Sequence, residues 1–132
     1  MKASFDRIMT DFGHLEPEMV WPDPPVVLFH AFLSDAECAA FVRHGQGRYS
    51  ESKGTEIDPK TGRPIDVRTE IRTSSQAWCN EARCLDDPLV DAVQARVSDV
   101  TQTPASYGEY AQLVYYRACP EDGHPSCAFY RR

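Results

Sequence analysis

Residues 26–32 bring apolar side chains together as Val26, Val27, Leu28, Phe29 and Phe32, a compact block that predicts a buried strand. Ser34 then opens a helix, and Glu37 three residues later completes a capping box. Ala36, Ala39, Ala40, Phe41 and Val42 give that helix a buried side, and Gly45 supplies its stop. Residues 47–67 turn polar, and Asp58-Pro59-Lys60-Thr61-Gly62 spells a turn within an exposed hairpin or mobile loop. Two β-favouring pieces follow at 65–71 and 75–79. Asp86, Asp87 and Pro88 then provide N-cap chemistry for a second helix with an apolar stripe of Leu89, Val93, Val97 and Val100. Thr103 and Pro104 end it, and residues 110–117 read as a strand.

Both ends of the chain lack this regularity. Residues 1–23 show no sustained period, and Pro17 and Pro22, with Pro24 and Pro25 just beyond, forbid a continuous helix there. This stretch reads as a lead-in, dispensable for folding, ahead of a domain over 24–132. A last β-like piece, 128–132, runs straight into the chain end, which predicts that the chain stops before its fold does.

The 132 residues fit one soluble domain, and a net charge of −6 with no Lys/Arg cluster argues against a nucleic-acid partner. No run is long and apolar enough for a membrane span, and residues 1–20 do not read as a secretory signal. Five cysteines, Cys38, Cys79, Cys84, Cys119 and Cys127, leave at least one unpaired. Cys79 with Cys84, and Cys119 with Cys127, are each spaced for a local disulfide or for ordinary thiols, and the sequence does not choose.

Some short patterns carry possible chemistry. His14-Leu15-Glu16 is formally an H-x-E pair but sits in the lead-in, before any strand. His30 reads as a hydrogen-bonded core histidine, and His44 as a favourable charge at a helix end. Cys119, His124 and Cys127 could meet one zinc ion if Cys79 or Cys84 completed a four-ligand set.

From Pro24 onward the order of motifs resembles the front part of the catalytic domain of prolyl 4-hydroxylases, iron(II) and 2-oxoglutarate dioxygenases. The residues that carry it are Pro25-Val26-Val27-Leu28-Phe29 leading to Phe32-Leu33-Ser34-Asp35-Ala36-Glu37-Cys38, then Glu70-Ile71-Arg72-Thr73-Ser74-Ser75 with Trp78 after it. Asp87-Pro88-Leu89-Val90 with Val93 and Arg96, Thr103-Pro104, and Glu109 ahead of Gln112-Leu113-Val114 and Tyr116 complete the series. The family's H-x-D and distal histidine, which hold the iron, are not in the sequence. Ala128-Phe129-Tyr130-Arg131-Arg132 is similar to the approach to H-x-D.

The resemblance implies an α+β chain that is an incomplete double-stranded β-helix, or jelly roll, with N-terminal packing helices. It implies a peptide groove lined by Arg72, Ser74, Glu109 and Tyr130, and a 2-oxoglutarate contact from Tyr116. The complete family domain uses Fe(II), 2-oxoglutarate and ascorbate on a proline-containing peptide or protein, often in the endoplasmic reticulum. This chain alone is expected to hold none of these cofactors, to carry no catalytic residue or metal ligand, and to contribute groove and scaffold. Two other readings stay open: a non-catalytic peptide-binding module, and a small zinc- or disulfide-stabilised domain.

Overall fold

A computed structural model describes residues 2–67 and 74–116, and its elements are a mixture of helices and small antiparallel sheets. The chain is therefore α+β. It forms two compact units, each assembled from two stretches of sequence: 1–44 with 80–110, and 45–79 with the chain from 111 onward. The pieces at 128–132 and 68–71, the C-x4-H-x2-C array, Arg72 and Tyr130 lie outside the described residues.

In the first unit, helix α1 (Lys2–Asp11) and a 3-10 turn (Gly13–Leu15) lead into strand β1 (Pro17–Pro22), which pairs antiparallel with β2 (Pro25–Phe29). Residues 1–23, which show no sustained period in the sequence, thus carry a helix, a 3-10 turn and a strand. Phe12 and Leu15 are buried and form a cluster with Val100, against which Ile8, Phe29 and Phe32 pack. The prolines that forbid a long helix fall inside or beside a hairpin strand, where a fixed φ is tolerated. Arg7 of α1 reaches the far end of the unit's longest helix, donating to the carbonyls of Asp99 and Val100.

Strand β2 ends at Phe29, three residues earlier than the apolar block suggests. The next two backbone N–H groups follow the same register past the strand end: His30 donates to the Glu16 carbonyl and Ala31 to that of Leu15. His30 is not a core residue. Its imidazole is half exposed and sits 2.7 Å from the Glu18 carboxylate.

Helix α2 (Asp35–Gly45) starts with the foreseen capping box: Glu37 N–H donates to Ser34 Oγ at 3.3 Å, and Ser34 N–H to Glu37 Oε2 at 2.7 Å. Its buried stripe is Glu37, Ala40 and His44: of the expected buried side, Ala40 is fully buried and Phe41 partly so, while Ala36, Ala39 and Val42 are exposed. Val42 is 57% exposed. A period of 3.6 puts positions 37, 40 and 44 on one side and turns 42 to the other, so two polar residues occupy the buried face.

A short helix α3 (Ala82–Leu85) precedes α4 (Pro88–Thr101). Asp87 caps α4 by accepting from Leu89 N–H at 2.9 Å, and Pro88 takes the first helical position, where its missing N–H costs nothing. Val90, Val93 and Val100 are its buried residues, while Val97, expected in the stripe, is 45% exposed.

In the second unit, β3 (Ser50–Glu51), β6 (Ser75–Trp78) and β7 (Gln112–Tyr115) form an antiparallel sheet in the order β3-β6-β7. Strands β4 (Gly54–Ile57) and β5 (Pro64–Val67) make a separate hairpin. Its turn is built by Asp58, whose carboxylate accepts from Lys60 N–H and Thr61 Oγ1, both at 2.8 Å, with Gly62 at φ +67° beyond it.

Candidate functional site

Strands β6 and β7 position two of the residues singled out from the sequence. Ser75 pairs with Tyr115, so Ser74 and Tyr116 continue that register one step beyond the last pair, at the same end of the ladder. Their environments differ. Ser74 is almost fully buried, and its Oγ donates to Ser52 Oγ at 3.0 Å while its carbonyl accepts from Ser52 N–H at 3.0 Å. Tyr116 is 43% exposed. On the same sheet, the rings of Tyr49 and Tyr115 lie 5.8 Å apart.

Glu109 belongs to the first unit, in the exposed stretch that follows a 3-10 turn at Ala105–Tyr107. Tyr107 and Tyr110 flank it and are themselves exposed. The structure therefore brings Ser74 and Tyr116 to one sheet end and places Glu109 in the other unit. Ser52, the partner of Ser74, was not foreseen. It lies in a polar stretch with no period to mark it.

The first unit contains two charged contacts at part-buried carboxylates. Arg96 of α4 donates from Nη2 to Glu37 Oε1 at 2.7 Å and from Nη1 to Oε2 at 3.2 Å, and also reaches the Phe32 carbonyl. The Arg96 guanidinium, helped by the Ser34 N–H, holds the Glu37 carboxyl down at about 2, and Glu37 in turn raises Arg96. His44 is buried, with Nε2 2.8 Å from Asp87 Oδ2, an oxygen shared with Arg43. The His44 imidazole, with the Leu89 N–H next, lowers the Asp87 carboxyl. This contact ties the end of α2 to the cap of α4, which is more specific than the helix-end charge expected for His44. An open cleft of about 850 Å³ at the end of α4, lined by Phe12, His14, Arg96, Asp99, Gln102 and Thr103 among others, contains none of the expected site residues.

Among the described residues, no group of three or more His, Cys, Asp or Glu is placed to hold a metal ion. These described residues do not present the ligand set of an iron centre. His14 and Glu16 are not drawn into such a group. Cys79 and Cys84, both fully buried, are disulfide-bonded, whereas Cys38 is free and exposed. A disulfide sulfur has no thiolate to give to zinc, which removes the fourth ligand that the zinc reading required. No helix among the described residues is long and apolar enough to cross a membrane.

Comparison with known proteins gives the class: the chain belongs to the prolyl 4-hydroxylase-like proteins and corresponds to a partial region of them. Prolyl 4-hydroxylase 1 of Arabidopsis thaliana is 31% identical over 111 residues, covering 84% of this chain and 38% of that protein. Probable prolyl 4-hydroxylase 8 of the same plant is 32% identical over 99 residues, covering 75% and 32%. Prolyl 4-hydroxylase subunit alpha-1 of Rattus norvegicus is 30% identical over 96 residues, covering 73% and 17%. The chain thus spans well under half the length of these relatives. No family model matches it, and no solved structure does.

Proposed function

We propose that this chain is the N-terminal part of a peptidyl-proline 4-hydroxylase-like Fe(II)/2-oxoglutarate dioxygenase, and that it supplies the peptide groove and scaffold. The observation that carries the reading is the run of prolyl 4-hydroxylase matches at about 30% identity across most of the chain. In this reading residues 24–132 begin an incomplete jelly roll, and residues 1–23 lead into it. The iron, 2-oxoglutarate and ascorbate belong to the complete domain, and the substrate is a proline-containing peptide or protein.

Within that scheme Tyr116, 43% exposed just past the end of β7, contacts 2-oxoglutarate through its hydroxyl. Arg72 and Tyr130 line the groove: a guanidinium can donate a fork of hydrogen bonds to peptide carbonyls, and a tyrosine offers a flat ring to a proline. Glu109 is exposed and available to a peptide. Ser74 joins them only if its bond to Ser52 opens. A non-catalytic peptide-binding module is the second reading.

The test is 2-oxoglutarate-dependent succinate release with iron, ascorbate and a proline-rich peptide. The assay compares this chain alone with a fusion to the part of Arabidopsis thaliana Prolyl 4-hydroxylase 1 that follows the matched region. The chain alone is expected to be silent and the fusion active. In the fusion, Tyr116→Phe raises the apparent KM for 2-oxoglutarate, while Arg72→Ala lowers kcat/KM for the peptide about tenfold, about 1.4 kcal/mol. A folded fusion that binds the peptide without turnover supports the binding module instead.

A further inference from the structure

The open cleft at the end of α4, about 850 Å³, and the exposed turn after it are contiguous in the first unit, because Ala105 both lines the cleft and begins that turn. Phe12, Pro104 and Ala105 give the cleft apolar surface. Two of its polar side chains, the His14 imidazole and the Gln102 amide, make no hydrogen bond among the described residues. Gln102 also holds a left-handed backbone, φ +54°, where glycine is the least strained residue, so its side chain is kept there at a local cost. The turn ends at Tyr107, which at 80% exposure is the most exposed large side chain of its kind among the described residues. Tyr110, 56% exposed, follows on the other side of the exposed Glu109.

The chemistry of these groups selects the occupant. An anion would meet the Asp99 carboxylate and an Arg96 already engaged by Glu37, so charge is not what the cleft offers. What it offers is flat and apolar surface with side-chain hydrogen-bond donors between, and two accessible phenol rings beside it. A proline-rich segment in the polyproline II conformation needs that combination: its backbone carbonyls make no internal hydrogen bonds, and its rings pack on aromatic faces.

We propose that this cleft and the turn at Tyr107 form a second subsite for a proline-rich substrate, binding a stretch remote from the proline that is hydroxylated. Tyr107 and Tyr110 pack against its rings, and Gln102 and His14 donate to its carbonyls. The proposal rests on the functional reading above, in which Glu109 meets the same peptide, and adds to it a preference for longer proline-rich substrates, since remote contacts supply binding energy that a short peptide lacks.

The experiment titrates the full chain calorimetrically with poly-L-proline of about 15 residues and of about 5, which at about 3.1 Å per residue differ roughly threefold in reach. The longer peptide is expected to bind severalfold more tightly. Tyr107→Ala, at an exposed position, and Gln102→Gly, which suits the backbone there, should each remove that advantage, and Val42→Lys, on the exposed side of α2, should keep it. No binding, equal binding of the two lengths, or an advantage that survives both variants overturns the proposal. In the fusion described above, Tyr107→Ala should raise the KM of the longer peptide severalfold with kcat unchanged. If the fusion turns over and that KM does not move, the subsite is wrong and the functional reading stands. If the chain binds the longer peptide by way of Tyr107 and Gln102 while the fusion is silent, the functional reading fails and the subsite stands.

Discussion

Arg96 grips both oxygens of Glu37 across 59 positions of sequence, and the same carboxylate closes the capping box at the start of α2. One side chain therefore joins a local helix signal to a long-range contact between α2 and α4. Glu37 is 7% exposed and Arg96 25%, so the two partners do not respond alike when separated.

Arg96→Met leaves Glu37 buried with only Ser34 as a donor, whereas Glu37→Gln leaves an arginine that water can still reach. We expect Arg96→Met to destabilise by about 3 kcal/mol and Glu37→Gln by clearly less. Urea unfolding at neutral pH measures both. Equal losses would mean that the carboxylate is better hydrated than its burial indicates.

The same pair sets an acid limit. The Glu37 carboxyl is held at about 2 in the folded chain against 4.5 without its partners. The unfolded state thus binds the proton first. The stabilisation is complete above 4.5 and drains away as pH falls from 4.5 toward 2, and the lowered Asp58 and Asp87 act in the same direction. Melting temperature should fall across that window, and Arg96→Met should flatten the fall.

Phe12 and Leu15 supply two of the three buried side chains of the first unit's cluster. Phe12→Ala should cost about 3–4 kcal/mol, and a chain starting at Pro24 should lose cooperative melting of that unit. Val42→Ser, on an exposed helix face, should stay within about 0.5 kcal/mol. Circular dichroism on heating compares the three.

Ser52 and Ser74 satisfy each other's hydroxyls where both are buried. Removing either leaves the other without that bond, so Ser52→Ala and Ser74→Ala should each cost about 1–2 kcal/mol, while the double substitution costs less than their sum. A double-mutant cycle in urea reads the difference, and strict additivity would show that the two hydroxyls are not coupled.

Local signals were the legible ones. The capping box at Ser34 and Glu37, the Asp87-Pro88 start of α4 and the Asp58 turn each complete their geometry within four residues, and each is found where the sequence puts it. Readings that depended on which neighbour arrives went astray. His30, expected in the core, is an exposed carboxylate partner, His44 sits at the helix end as expected but also meets Asp87, and Val42 and Val97 turned outward because the buried stripes of α2 and α4 include positions next to the apolar ones chosen. The N-terminal stretch hid its helix and strand because prolines and short elements leave no sustained period, although its burial comes from tertiary contact. Of the expected site, the placement of Ser74 beside Tyr116 follows from strand register, while the burial of the Ser74 hydroxyl depended on Ser52, which no pattern pointed to.

The interleaving of the two units has a consequence during synthesis. Residues 1–44 need 80–110 to complete their contacts, and 45–79 need the chain from 111 onward. A ribosome delivering the chain from its N-terminus exposes Phe12 and Leu15 well before Val100 leaves the exit tunnel. The first unit must wait for more than half the chain, and the second cannot close until β7 emerges. Such non-local closure slows folding and lengthens the interval in which apolar surface is open. A chaperone that holds nascent apolar segments would accordingly meet α1 and its flanking Phe12 and Leu15 before α4.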